Sequence, residues 1–344
     1  MSGFLILEDG AVFPGESVAA PGVAFGEAVF TTAMSGYQET VTDPSYAGQI
    51  VCFTAAMVGN YGVDDARTQS SRVHATAAVM REARGPEWTD WLAGHGIVAL
   101  SGIDTRSLVV HLREQGSMRA GAFAGETPHE EALAAVRAQP SMAGAALVAD
   151  VSPDEPYTFA ADGEARVAVV DYGCKTSILR RLAEAGAAVD VYPHDVDADT
   201  LAGYDGVLLG NGPGDPAPLA AETQVVRDLL GRTSILGVCL GHQLLAQATD
   251  RETFKLPFGH RGANHPVIDH RTGRVLVTSQ NHGFAVAPGG EDGVVYSSLY
   301  DGTVEGLHYP ELRARSAQFH PEASPGPHDG AAIIREWVGE LTHA

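Results

Sequence analysis

The chain has 344 residues, 44% of them hydrophobic and 19% charged, which fits a soluble globular protein with material for more than one core. With 22 Lys+Arg against 43 Asp+Glu the formal net charge is −21, and such an excess disfavours nucleic acid and anionic membrane surfaces as partners. The three cysteines (Cys52, Cys174 and Cys239) are widely spaced and form no CxxC pair, which argues against a disulfide framework or thiolate zinc site and for a reducing cytoplasmic setting.

The opening segment has no basic stretch and only four consecutive apolar residues (Phe4, Leu5, Ile6, Leu7), so it is not expected to be a secretory signal. No apolar run approaches the roughly 18 residues of a spanning helix. Val29-Phe30-Thr31-Thr32 and Gln49-Ile50-Val51-Cys52-Phe53-Thr54 are rich in β-branched and aromatic residues and read as strands. Residues 104–114 read as a helix with Asp104 as N-cap and Gly116 past its end. Thr127-Pro128-His129-Glu130 has the form of a capping box with proline at the first helical position, opening a run to Ala138.

Residues 150–164 carry two prolines and several acids with little to bury, and read as a linker. Beyond it the rhythm changes. Strand-like runs at 167–170, 188–192, 206–209 and 234–238 alternate with helical runs at 175–185 and 221–230. This alternation predicts a parallel sheet covered on both faces, with ligands beyond the carboxyl ends of its strands. The expected organisation is an N-terminal domain over 1–150, a linker over 151–165 and a second domain over 166–344.

Gly237-Val238-Cys239-Leu240-Gly241-His242-Gln243 lies where a strand gives way to a helix, so Cys239 sits at the tip of a tight elbow flanked by glycines. The amides and dipole of the following helix favour a thiolate there. Cys52 and Cys174 lack such a setting and read as packing residues. Far downstream, Gln318-Phe319-His320-Pro321-Glu322 offers an imidazole and a carboxylate two residues apart, on one face if the segment is extended. Cys239 as nucleophile, His320 as base and Glu322 as the residue that orients the base make an activated thiol. His242, His260, His265 and His282 are competitors for the base, and His242 points along the new helix. The turn Gly210-Asn211-Gly212-Pro213-Gly214-Asp215-Pro216 has neither P-loop nor dinucleotide spacing. The Gly212 N–H, with that of Leu240, could instead form an oxyanion hole.

These motifs together resemble the class I triad glutamine amidotransferases, and Ser279-Gln280-Asn281-His282-Gly283-Phe284 completes the family's order. In the first half, Ser35-Gly36-Tyr37-Gln38-Glu39, Thr42-Asp43-Pro44-Ser45-Tyr46, Gly59-Asn60-Tyr61-Gly62 and Gly102-Ile103-Asp104-Thr105-Arg106 resemble the carbamoyl-phosphate synthase small-subunit family. Phe258-Gly259-His260-Arg261-Gly262-Ala263-Asn264-His265 and Pro325-Gly326-Pro327 match it too. Lys255-Leu256-Pro257 and the helix segment Ser107-Leu108-Val109-Val110-His111 depart from its pattern.

The resemblance implies an α/β fold: a C-terminal doubly wound, mostly parallel sheet of the amidotransferase type, with a separate mixed α/β N-terminal domain. It implies glutamine contacts at Ser45, Gly212, Gly214, Leu240, Gln243, Asn281, Gly283 and Phe284, with Ser45 supplied by the N-terminal domain at the domain interface. It implies no metal or cofactor in this chain. ATP and magnesium belong to a larger partner subunit that combines ammonia with bicarbonate for arginine and pyrimidine biosynthesis. Two other readings stay open at this point. One is an amidotransferase or γ-glutamyl hydrolase serving another reaction, and the other is a binding module that keeps the fold without turnover.

Overall fold

Alternation of apolar residues sets the architecture of each half in a computed structural model, which describes residues 1–289 and 292–342. The chain divides into two units, Met1–Ala145 with Pro257–Arg261 and Ala146–Leu256 with Gly262–Ala344. Among the described residues no helix is long and apolar enough to cross a membrane.

The first unit holds strands β1 (Ser2–Leu7), β2 (Val12–Ser17), β3 (Gly22–Thr31), β4 (Gln49–Phe53), β5 (Ala77–Val79), β6 (Val98–Ser101) and β7 (Met118–Ala124). They close into a barrel in the order β1-β2-β6-β5-β4-β3-β7. Neighbours from β3 through β4 and β5 to β6 are parallel, and the remaining pairs are antiparallel. Helices α1 (Tyr37–Thr42), α2 (Pro86–Gly94), α3 (Thr105–Gln115) and α4 (His129–Arg137) complete the unit.

Successive residues of β4 serve different cores, as the two-residue period of a strand requires. Ile50 and Cys52 pack with Leu108 and Leu112 of α3, while Val51 and Phe53 pack with Trp88 and Leu92 of α2. Burial of Cys52 pushes its thiol up to about 12, as befits a packing residue. Asp104 caps α3 as expected, accepting from the Ser107 N–H at 3.0 Å. The capping box expected at Thr127 does not form. Pro128 is itself the N-cap, no side chain caps α4, and the helix starts one residue later at His129. Residues 257–261, expected with the second half, belong to this unit, where the Phe258 ring lies 6.0 Å from that of Phe30.

The second unit is built on β8 (Tyr157–Ala160), β9 (Ala165–Asp171), β10 (Ala187–Pro193), β11 (Gly206–Leu209), β12 (Ser234–Val238), β13 (Thr253–Asp269), β14 (Val275–Val286), β15 (Val294–Ser298), β16 (Val304–Tyr309) and β17 (Ala314–Ala317). Its ten-stranded sheet runs β14-β13-β15-β16-β17-β12-β11-β9-β10-β8. The centre, from β17 through β12, β11 and β9 to β10, is parallel. The helices are α5 (Thr176–Glu184), α6 (Ala198–Leu201), α7 (Ala220–Leu229), α8 (Leu240–Ala248) and α9 (Ala332–Leu341).

Val167, Val169, Leu208 and Leu236 face α5 and α9, whereas Ala168, Val170, Val207, Leu209 and Ile235 face α7 and α8. Each fully buried Val, Leu or Ile contributes about 1.5–3 kcal/mol, so these two layers hold the strand ends in place. The residues expected as a linker include β8, an edge strand antiparallel to β10. Its flanking prolines and acids are the residues that blunt a sheet edge, which is why they resemble a linker in sequence.

Candidate active site

Strand β12 ends at Val238 and α8 begins at Leu240, leaving Cys239 alone at the elbow with φ 54° and ψ −103°. A residue with a Cβ is held there at a cost of about 1–3 kcal/mol, and only when its surroundings over-determine it. Here the Cys239 N–H donates to the Ala317 carbonyl at 2.9 Å, and its own carbonyl accepts from His242 and Gln243 at 3.1 and 3.2 Å. The turn is too tight for side chains on either side. A Cβ on Gly237 would lie 2.5 Å from the Gly241 carbonyl oxygen, and one on Gly241 would lie 2.2 Å from that of Leu209. Leu240 opens the helix, so its N–H has no acceptor within α8.

Strand β17 lies parallel beside β12 with Ala317 opposite Val238, so the chain leaving β17 passes the elbow. His320 is fixed by its N–H donating to the Ser279 carbonyl at 2.9 Å. Its Nδ1–H donates to Glu322 Oε1 at 2.7 Å. The other ring nitrogen, Nε2, is buried and unpartnered. Burial alone would depress the ring's pKa, but the Glu322 carboxylate and then the Cys239 sulfur outweigh it and raise it. The pair is not extended as the sequence suggested. A turn closes over Pro321 and Glu322, with the Ala323 N–H donating to the His320 carbonyl at 3.1 Å, and this turn brings the carboxylate to the ring.

Sequence reasoning missed Lys175. Its Nζ donates to Glu322 Oε1 at 2.8 Å and to the Ala323 carbonyl at 2.6 Å, with both charged side chains buried. Burial would raise the Glu322 pKa, yet Lys175 and His320 together hold it well below the usual carboxylate range. Its only trace in the sequence is scarcity, Lys175 being one of only two lysines in the chain. Its backbone N–H donates to Asn211 Oδ1 at 3.0 Å, tying it to the glycine-rich turn.

The other expected residues fall as follows. Gly212 admits no side chain, because a Cβ would lie 2.3 Å from the Tyr172 carbonyl oxygen. Gly214 has φ 91° and bridges to Ala146. Asn281, Gly283 and Phe284 lie on β14, and the Asn281 carbonyl is 3.6 Å from the Cys239 sulfur as its acceptor. Gln243 reaches the same strand, its Nε2 donating to the Phe284 carbonyl at 2.8 Å and to Gln318 Oε1 at 3.0 Å. Its amide hydrogens therefore hold protein, not solvent. Ser45 lies in the first unit, in the 3-10 turn Pro44–Tyr46, where Asp43 accepts from its N–H at 2.9 Å. Among the competing histidines, His242 is buried with Nδ1 2.8 Å from Ser316 Oγ, and burial, aided by Arg251, pushes its pKa down to about 3. His282 has Nδ1 bonded to the Phe284 carbonyl at 2.7 Å. Within the second unit, the thiol thus meets an imidazole made basic by a carboxylate, next to the Leu240 N–H that α8 leaves without an acceptor. That set of groups can perform acyl transfer through sulfur.

Two family models match the chain. Residues 5–122 match the carbamoyl-phosphate synthase small chain, CPSase domain, and residues 168–339 match glutamine amidotransferase class-I. Carbamoyl phosphate synthase small chain proteins are similar over nearly full length. The one from Streptomyces coelicolor is 45% identical over 97% of this chain and 94% of its own. That from Xanthomonas campestris is 43% identical over 99% of this chain and 98% of its own, and that from Corynebacterium diphtheriae is 42% identical over 99% and 97%. With an elbow cysteine, an ion-paired histidine and full-length kinship, the chain belongs to the carbamoyl phosphate synthase small chain family and carries a class-I glutamine amidotransferase unit.

Proposed function

We propose that this chain hydrolyses glutamine and passes the ammonia to a larger, ATP-using subunit that makes carbamoyl phosphate from it and bicarbonate. The observation that carries the reading is the buried line from Cys239 through His320 to Glu322, with the one unpartnered ring nitrogen on the thiol side.

His320 Nε2 takes the thiol proton as sulfur forms its bond to the side-chain amide carbon of glutamine. The oxyanion is received by the N–H groups of Gly212 and Leu240, each such donor being worth about 2.7–4 kcal/mol of barrier. The imidazolium returns the proton to the amide nitrogen as the C–N bond breaks, ammonia departs, and a γ-glutamyl thioester remains. Water, deprotonated by His320, then cleaves the C–S bond to give glutamate and the free thiol. Glu322 keeps the proton on Nδ1 throughout. Gly214, Asn281, Gly283 and Phe284 frame the amino-acid end of glutamine, Gln243 holds the Phe284 segment, and Ser45 is retained as a contact on family resemblance alone. ATP and magnesium are assigned to the partner, in the cytoplasm, with products feeding arginine and pyrimidine synthesis.

The test uses the chain reconstituted with the ATP-using subunit. Cys239→Ser should reduce glutamine-driven carbamoyl phosphate formation by about 10³-fold or more while ammonia-driven formation persists. A glutamine-analogue electrophile should label Cys239 in the native protein. Undiminished glutamine turnover in the serine variant would refute the proposal.

A further inference from the structure

Helix α3 has two dissimilar faces. Thr105, Leu108 and Leu112 are buried, while Arg106, Val109, Val110 and Arg113, at helical spacing i, i+3, i+4 and i+7, form an adjoining, more exposed stripe. Val110 is 45% exposed. A β-branched residue adds nothing to helix propensity, so the exposed Val110 has no local reason to be there, whereas Val109 is half-buried against the core that holds Leu108 and Leu112. This stripe walls a groove of about 510 Å³ beyond the carboxyl ends of β4 and β5, with Thr54, Ala56 and Arg81 on its other side and Thr105 at the start of the helix.

Among the described residues, Arg81, Arg106 and Arg113 make no ion pair or side-chain hydrogen bond. Glu82, beside Arg81, is engaged with Arg84 at 2.8 Å. Asp104 accepts two hydrogen bonds from Ser107, at 3.0 and 2.7 Å, and acts on Arg81 only at a distance. Three unengaged guanidiniums around one concavity stand out on a chain of net charge −21. The arginines at 106 and 113 are seven residues, or about 10 Å, apart along the helix axis, too far to grip one phosphate. An apolar pair fills the space between them. The arrangement fits two carboxylates separated by an aliphatic residue, each met by a planar guanidinium. Arginine with adjacent apolar area is also the composition of an interface anchor.

We infer that this groove seats an acidic segment of the ATP-using synthase subunit, bearing at least two carboxylates around an apolar side chain. The inference rests on the partner reading given above. The experiment measures the dissociation constant between the purified chain and that subunit at two salt concentrations, with labelling of Cys239 by a glutamine-analogue electrophile and the thermal midpoint as controls. Arg106→Ala/Arg113→Ala should weaken binding 10- to 100-fold and flatten its salt dependence, and Val110→Asp should weaken it at least tenfold, with both controls unchanged. If the native chain binds the subunit and these variants bind equally well, the groove assignment falls and the function stands. If the native chain does not bind it at all, both fall. Saturable binding of inorganic phosphate to the isolated chain, abolished by the double variant while partner affinity is kept, would make the groove a small-anion site and overturn the docking assignment.

Discussion

Lys175 and His320 share one carboxylate oxygen: Glu322 Oε1 accepts from Nζ at 2.8 Å and from Nδ1 at 2.7 Å. The imidazole is therefore oriented by an anion that is itself held in place by a buried cation. Removing the cation leaves a carboxylate with no compensating charge except the ring. Lys175→Met should cost about 3–5 kcal/mol of stability, the usual penalty for breaking a buried pair from one side. Chemical denaturation checks this. Adding Glu322→Gln to that variant should recover part of the loss, because the two changes share one interaction.

Glu322→Gln by itself should lower glutamine-driven kcat by 10²- to 10⁴-fold, since Nδ1 loses the acceptor that fixes its tautomer. The ring would lose the carboxylate that does most to raise it, leaving burial opposed by the Cys239 sulfur alone, so the His320 pKa should fall from its raised value. NMR titration of labelled histidine reads the sign directly.

The same shifts set a stability profile. His320 is raised in the folded chain, so its contribution is complete below 6.5 and fades as pH climbs through its folded value. Glu322 is depressed, so its contribution is complete above 4.5 and fades as pH falls through its folded value. Both are present in full between 4.5 and 6.5. The stability difference between native chain and the double variant Lys175→Met/Glu322→Gln should be greatest in that interval, measured as thermal midpoint against pH.

Glycines at the elbow and glycines elsewhere should respond in opposite ways. Gly241→Ala places a methyl 2.2 Å from a backbone oxygen and should destabilise severely or abolish soluble expression. Gly339, inside α9, has nothing within 4 Å of an added Cβ. Gly339→Ala should stabilise by about 0.5–1 kcal/mol through the unfolded state, visible as a raised thermal midpoint with unchanged turnover.

Gln243→Leu removes both donors that tether Phe284 and Gln318 to α8. Steady-state kinetics should show KM for glutamine rising about tenfold or more and kcat also falling, as for a residue that shapes the pocket.

The parallel centre of the second unit was legible because its strands are short, mostly apolar and separated by well-punctuated helices. The elbow was legible because glycines at 237 and 241 have a steric meaning that can be read in one dimension. Lys175 was not, since its partner lies far along the chain and nothing local distinguishes a buried lysine from a helix-cap residue. Closure of the first unit into a barrel was equally hidden. It depends on β7 pairing with both β1 and β3, and such long-range registers leave no periodic trace. The misjudged edge strand and the absent capping box have a simpler cause: proline and acids serve loops, sheet edges and helix starts alike.

Insertion of β17 between β12 and β16 has a consequence for biogenesis. The ribosome delivers the sulfur-bearing elbow well before the imidazole, which comes just after the strand that lies between β12 and β16. A nascent polypeptide therefore carries the elbow thiol before the imidazole it pairs with has been made. On the proposed chemistry, amide cleavage and the release of a volatile base into the cell wait until translation has passed the final strand.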